Sequence, residues 1–303
     1  MLLIPGPRCL EYESEHFLKH RRINTQFEES QMQELNAGKY FGSEVRNRNI
    51  GGIWTSLARY DETLRLSPKN LSNDWHVHEN PHFSFILEGG NVERRQTTRD
   101  ECLPGQVLFY QAGEPHQNLN VVYPSKNFNV EIDGDFLAKY DLKEPKINSD
   151  FVAGSDIKFT LLRIYKETVN KDDTNELAVH SLILGVLSEK EKVATKTSQI
   201  PRWADKVFQI LRDRWDENLS LLELSEASGV HPVTISRNFP KYFFCTLGEY
   251  VRRVRIEKSL ALIKQSDNSL TDIAYRCGFA DQSHFTRVFR HLTGLKPGTF
   301  KRI

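Results

Sequence analysis

Two stretches near the carboxyl end carry the same pattern. "LLELSEASGVHPVTISRNF" (221–239) and "LTDIAYRCGFADQSHFTRVF" (270–289) each place apolar or small side chains at i, i+3, i+4 and i+7 ahead of a glycine. Leu221, Leu224, Ser225 and Ser228 lead to Gly229; Leu270, Ile273, Ala274 and Cys277 lead to Gly278. That spacing predicts one buried stripe per helix. Small residues at 225 and 274 let a second helix cross closely, and the glycine supplies the left-handed turn that ends the first helix. A second helix follows each turn, with Ile235 and Phe239 buried in one copy and Phe285 and Phe289 in the other; the second turn is one residue longer. Helix, tight turn, helix, twice over, predicts an all-α region with two helix-turn-helix motifs, at 221–243 and 270–292.

The outward faces of the second helices agree between the copies. Arg237 and Arg287 stand two residues before Phe239 and Phe289, with Val233, Thr234 and Ser236 around the first and Gln282, Ser283 and His284 around the second. Short polar groups near a helix amino terminus reach base edges in the major groove. An arginine one turn later can fork onto guanine, worth roughly 1–3 kcal/mol of discrimination. Between the copies, "TLGEYVRRVRIEKSLALIKQS" (246–266) reads as one helix about 30 Å long, close to the pitch of one duplex turn. Charge points the same way: residues 199–303 hold 17 Lys+Arg against 11 Asp+Glu, a net of +6, whereas residues 1–198 hold 24 against 29, a net of −5. A basic rear and an acidic front suggest a polyanion as partner of the rear alone, and the repeated helix-turn-helix pattern makes double-stranded DNA the expected one. The bland alternative is a helical bundle with a coincidental repeat.

The front reads differently. Over roughly 50–133, runs such as "GGIWTSLARY", "HFSFILEGG", "QVLFYQAG" and "KNFNVEID" are rich in aromatic and β-branched residues. Turn formers separate them (Pro68, Gly89-Gly90-Asn91, Pro104-Gly105, Pro124-Ser125), which predicts a sandwich or small barrel. From about 156 the pattern turns helical, with Ser155 or Asp156 and then Thr174 as caps. "VHSLILGVLS" is wide enough in its apolar face to be either a core helix or a dimer seam. The polar "ATKTSQIPRW" (194–203) reads as a linker, dividing the chain into domains 1–195 and 196–303. The apolar stretch 177–187 is too short to span a bilayer, the first residues lack a basic leader, and Cys9, Cys102, Cys245 and Cys277 are scattered, so a cytoplasmic protein with ordinary thiols is expected.

The rear also resembles a known family, the AraC/XylS transcriptional regulators. The likeness covers about 205–303, through "LSLLELSEASGV…SRNF", "TLGEYVRRVRIEKSLALI" and "DIAYRCGFADQSHFTRVFRHLTGLKPGTFKR". It implies two units reading consecutive major-groove segments, with base-contacting positions at Val233, Ser236, Arg237, Gln282, Ser283, His284 and Arg287. It also implies a homodimer, and RNA polymerase as a partner if the protein is an activator. Two departures stand out: Phe244 replaces the usual glycine after the first reading helix, and Pro240 falls in that helix's last turn, where it is expected to end or kink it.

The front resembles the cupin-type sensor half carried by many members of that family. His76, His78, position 82 and Gly89 follow a first cupin motif, and Gly105, Gly113, His116 and Asn120 a second. The overall expectation is an α+β, two-domain chain: a cupin-like β-barrel with trailing helices, then the all-α DNA-binding domain. Residues 76 and 78 share a face of a strand, with His116 arriving from a facing one. His82 stands where metal-binding cupins carry glutamate, so a divalent transition metal would meet four neutral nitrogens, His76, His78, His82 and His116, with Glu79 or Glu114 as the only carboxylates nearby. The same histidines could instead line the cavity of a small-molecule effector. The alternative to a regulator is a metal-dependent cupin enzyme with an accessory helical domain.

Overall fold

The computed structural model describes residues 32–65, 74–148, 152, 156–170, 174–196, 200–265 and 267–303. The leader region, Cys9, Pro68, Ser155 and positions 197–199 of the linker lie outside these residues, as does the side chain of Asn120.

The front half is one curled eight-stranded sheet: β1 (Gln33–Leu35), β2 (Glu44–Ile50), β3 (Ile53–Tyr60), β4 (His76–His78), β5 (His82–Arg95), β6 (Arg99–Cys102), β7 (Val107–Tyr110) and β8 (His116–Ile132). The order β1-β4-β8-β3-β2 is extended by β5, which pairs with β6, β7 and β8. Two expected turns are not turns. β5 runs straight through Gly89-Gly90, and β8 runs through Pro124, whose preceding peptide bond is cis. The pairing of these two long strands slips between Ile86 and Val92, so the glycines mark bulges. Both have positive φ (75° and 136°), and a β-carbon at Gly89 would lie 2.5 Å from the Val122 carbonyl. Glycine is therefore required where one strand bends across its partner.

Alternation divides the sheet into two faces. On β5, Phe83, Phe85 and Leu87 join Phe128, Val130 and Ile132 of β8 in a core covered by helices. His82, Ser84 and Ile86, with Asn127 and Asn129, turn to the other face and line a cavity. The covering helices follow a four-residue helix α1 (Glu62–Arg65): α2 (Gly134–Lys139), α3 (Ile157–Val169) and α4 (Asn175–Lys196). Asp156 is the residue capping α3, although its side chain makes no cap bond and instead pairs with Arg253 at 2.7 Å. α4 begins directly after Thr174 and continues to Lys196, so the first residues of the expected linker are helical.

The rear half is helical: α5 (Arg202–Asp213), α6 (Leu221–Ser228), α7 (Pro232–Phe243), α8 (Leu247–Gln265), α9 (Leu270–Arg276), α10 (Gln282–Thr293) and α11 (Pro297–Arg302). α6 and α9 start with the same device. Ser220 and Glu223, and Ser269 and Asp272, form reciprocal capping boxes. Gly229 and Gly278 adopt left-handed φ of 72° and 71°, as the repeat requires. Leu221 departs from the expected stripe, being 37% exposed, because it sits in the first turn and Leu224 alone reaches the core from that face.

Pro240 does not end α7. The helix continues to Phe243, and Phe244 then caps it with a left-handed φ of 55°. The family's usual glycine at that place is explained by this backbone, which a side chain adopts only at a cost of about 1–2 kcal/mol.

The two helix pairs are anchored differently. Val207, Leu211, Leu224, Ile235, Phe239 and Cys245 form a core of their own around α6 and α7. Ile273, Phe285, Phe289 and Phe300 belong instead to the main core that includes Phe83 and Phe128. α8 serves both: Leu247, Tyr250 and Val251 pack on the small core, while Ile256, Leu260 and Ile263 lie in the large one. Polar contacts reinforce the second junction. Arg163 of α3 donates to the carbonyls of Leu292 (2.8 Å) and His291 (2.9 Å) at the end of α10, and Lys158 meets Glu257 at 2.6 Å.

Candidate functional site

One candidate surface is the outer face of α7 and α10. Ile235, Phe239, Phe285 and Phe289 are fully buried, which turns the intervening positions outward. Val233, Ser236 and Arg237 are exposed on α7, and Gln282, Ser283 and Arg287 on α10. Thr234 and His284 are half-buried: the Thr234 carbonyl accepts from Asn238, and the His284 ring meets Phe279 edge-on at 5.4 Å. Each of α7 and α10 has a side-chain cap, His231 accepting from the Val233 amide and Asp281 from the His284 amide at 2.7 Å. Around α10, Thr286, Arg290, His291 and Lys296 join Gln282, Ser283 and Arg287 in an open basic groove. The sequence reading missed these four, although 283, 286, 287 and 290 share one helical face by spacing alone.

A buried arginine on α8 links the two helix pairs. Arg255, 9% exposed, donates to the carbonyls of Trp215 (3.0 Å), Glu217 (2.9 Å) and Gly278 (2.5 Å) and to Asn218 Oδ1 (3.0 Å). It therefore ties the segment before α6 to the turn after α9.

The second candidate surface is the cavity in the sheet. β4 and β8 are hydrogen-bonded neighbours with His76 opposite His116, so His116 comes from the adjacent strand, not from a facing one. A ring nitrogen from each of His76, His78 and His116 lies within 4.8 Å of the others, and all three side chains are buried. His82 lies beside His78, with ring centroids 4.3 Å apart, but 6.4 Å from His116. Nδ1 of His76 and of His116 each contacts a backbone carbonyl at 3.0 Å, of Asp74 and Glu114 respectively. A carbonyl only accepts, so each Nδ1 carries the proton and each Nε2 keeps its lone pair.

Burial holds these imidazoles far below the ordinary histidine range, His76 at about 4 and His82 at about 3, with His78 and His116 shifted the same way. They are neutral at pH 7.

The carboxylates near the cluster are committed elsewhere. Glu114 pairs with Arg95 at 2.6 Å, and Glu79 accepts from the Ala37 amide at 3.1 Å. Arg95 also grips buried Glu93 at 2.5 Å and lies over the Tyr110 ring, which itself stacks on His82 at 4.6 Å and His116 at 4.2 Å. On the open side, Tyr40 lies against His78 at 4.9 Å and Phe41 against His76 at 4.8 Å, forming an aromatic strap. The remaining cavity is about 20 Å³. Its wall includes Asn129, which is 1% exposed and has neither amide atom hydrogen-bonded. The "NFNVEI" alternation of Asn127, Asn129 and Glu131 with Phe128, Val130 and Ile132 carried that inward polar face in plain view.

Comparison with known proteins bears on the first surface. A family model described as a helix-turn-helix domain matches residues 224–303. An uncharacterized HTH-type transcriptional regulator, YijO of Escherichia coli strain K12, is 25% identical over 232 residues, covering 73% of this chain and 81% of that protein. The HTH-type transcriptional activator RhaS of Klebsiella pneumoniae strain 342 is 29% identical over 124 residues, or 40% of this chain; the match spans 45% of RhaS, under half its length. Among solved structures, ToxT of Vibrio cholerae aligns over 83% of this chain and 98% of its own at 14% identity, with a TM-score of 0.34. A helix-turn-helix domain model thus matches the rear third of this chain, and the relatives it is similar to are HTH-type transcriptional regulators.

Proposed function

We propose that this regulator recognises a specific DNA sequence through two helix-turn-helix units, α6/α7 and α9/α10, set into successive major-groove segments. The observation that carries the reading is α8. Its 19 residues run about 28 Å, its two ends sit in two different cores, and Arg255 ties the segment before α6 to the turn after α9. Arg237 and Arg287 read bases, together with Val233, Ser236, Gln282 and Ser283. Thr234 and His284, half-buried, shape the contact, and Arg290 and Lys296 hold phosphate.

The cupin-like front domain senses a ligand in the histidine cavity. Its junction with α9–α11 passes that state to the second unit. The outer face of α4, with Leu177, Ser181 and Gly185 exposed, supports pairing of two copies. Among the described residues no helix is long and apolar enough to cross a membrane, in keeping with a cytoplasmic regulator that meets RNA polymerase at its promoters. The competing reading, an iron(II) oxygenase with two histidines and a carboxylate, is disfavoured because Glu79 and Glu114 are both engaged.

The test is selection of bound duplexes from a random pool, followed by titration of Arg237→Ala and Arg287→Ala. The expected site holds two short blocks about one turn apart. Each substitution should weaken that site by roughly 1–3 kcal/mol and relax preference in one block only. A uniform loss of affinity for every sequence would refute the assignment of these arginines to bases.

A further inference from the structure

We propose that the ligand sensed in the cavity is itself a single divalent transition-metal ion of the zinc class, held by His76, His78 and His116 with His82 completing the set. Four observations support it. The three nitrogens already lie within 4.8 Å of one another. In a tetrahedral site with bonds of about 2.0–2.1 Å, ligand nitrogens are about 3.4 Å apart, so small side-chain rotations suffice.

Second, the protons are already parked. The carbonyls of Asp74 and Glu114 hold the Nδ1 hydrogens of His76 and His116, leaving Nε2 as the donor atom. This outer arrangement is what fixes ring orientation in metal-ligating histidines. Third, His78 Nδ1 is buried without any hydrogen bond. A fully partnered core histidine would not leave it so. An unpaired buried polar atom costs about 1–3 kcal/mol, a cost that is relieved when Nδ1 is the atom His78 gives to the metal.

Fourth, the space decides against an organic effector. About 20 Å³ remains beneath the strap of Tyr40 and Phe41, and one water needs about 10–15 Å³. An ion fits; a sugar or an aromatic acid fits only after the strap leaves. The donor chemistry narrows the choice: imidazoles without a free carboxylate suit zinc, cobalt, nickel or copper, and not magnesium or calcium.

The inference rests on the reading of this cavity as the sensing site, and its test separates the two. The full chain is purified without affinity histidines, stripped with chelator and titrated with Co²⁺. One equivalent should bind, with the intense visible absorption of four-coordinate cobalt, and Zn²⁺ should displace it. His78→Ala and His116→Ala should each weaken binding at least about 100-fold while keeping the far-ultraviolet circular dichroism of the parent. X-ray absorption of the zinc-loaded parent gives an answer that needs no variant: three or more imidazole nitrogens at about 2.0 Å are expected. Substoichiometric metal, an oxygen-only shell, or binding unchanged in both variants overturns the proposal. DNA retention by the same samples reports on regulation alone. If one equivalent binds through imidazoles and specific DNA affinity does not change, the site stands and its sensing role falls.

Discussion

Replacing Arg255 by methionine should disturb both the stability and the reading geometry of the rear domain. Methionine keeps most of the aliphatic stem, so the change isolates the guanidinium. Four hydrogen bonds go, three of them to backbone carbonyls. At about 1 kcal/mol net for each bond, the low end for a charged donor, the loss is about 4 kcal/mol. No carboxylate contacts the guanidinium in these bonds, so its burial carries a desolvation cost that removal relieves. About 3 kcal/mol of destabilisation remains, or a fall of roughly 6–12 °C in Tm for a chain of this size.

The loss should be larger on DNA than on fold. Affinity for a two-block site should drop well beyond that for a single block, because the spacing between α7 and α10 is no longer held. A double-mutant cycle sharpens the test. A β-carbon at Gly278 would sit 2.7 Å from Arg255 Cζ, so Gly278→Ala should cost at least about 1 kcal/mol less in the methionine background than in the parent. Urea unfolding and competition binding measure both quantities. Equal unfolding midpoints and equal two-block affinities in parent and Arg255→Met would refute the idea that this side chain sets the spacing.

Two further outcomes are expected. Burial, followed by the charge of Lys126, lowers Lys264 to about 8. Its folded value lies below the unfolded one near 10.4, so the unfolded chain holds more protons between those values and stability rises with pH through that window. Lys264→Met should therefore stabilise the protein at pH 7, by about 1 kcal/mol after discounting for its partial exposure, and the advantage should shrink toward pH 10; a gain independent of pH would disprove the cause. Leu177, 74% exposed on α4, should tolerate glutamate as a monomer but weaken self-association measured by sedimentation. Unchanged sedimentation would remove α4 from the seam.

The repeat made the rear domain legible because its grammar is local. Caps, small crossing residues and a left-handed glycine each act within one turn, and they appear at matching places in both copies. The sheet was harder. Gly89-Gly90 and Pro124 look like chain reversals in sequence, yet they lie inside long strands, since a bulge and a turn ask for the same residue types. β2, "EVRNRNI", was missed because only Ile50 of its described side chains is buried, which leaves no apolar alternation to read. The histidine cluster was visible as three residues in one short stretch plus His116. Its strap was not, because Tyr40 and Phe41 reach it through tertiary folding alone. Nor could spacing reveal that His82 stands off from His116, a matter of register, since β5 pairs His82 with Glu131 at the far end of β8.

The unequal seating of the two helix pairs gives the molecule a polarity. Its inner hand shares bone with the body, and its outer hand hangs from the wrist of α8. A few base pairs inserted between the blocks of an operator would then be absorbed on the outer side, while the inner block keeps its grip and, on the sensing role proposed above, its answer to a ligand. On that proposal its operators are directional words, with one syllable stressed by the state of the sensor and the other spoken the same way regardless.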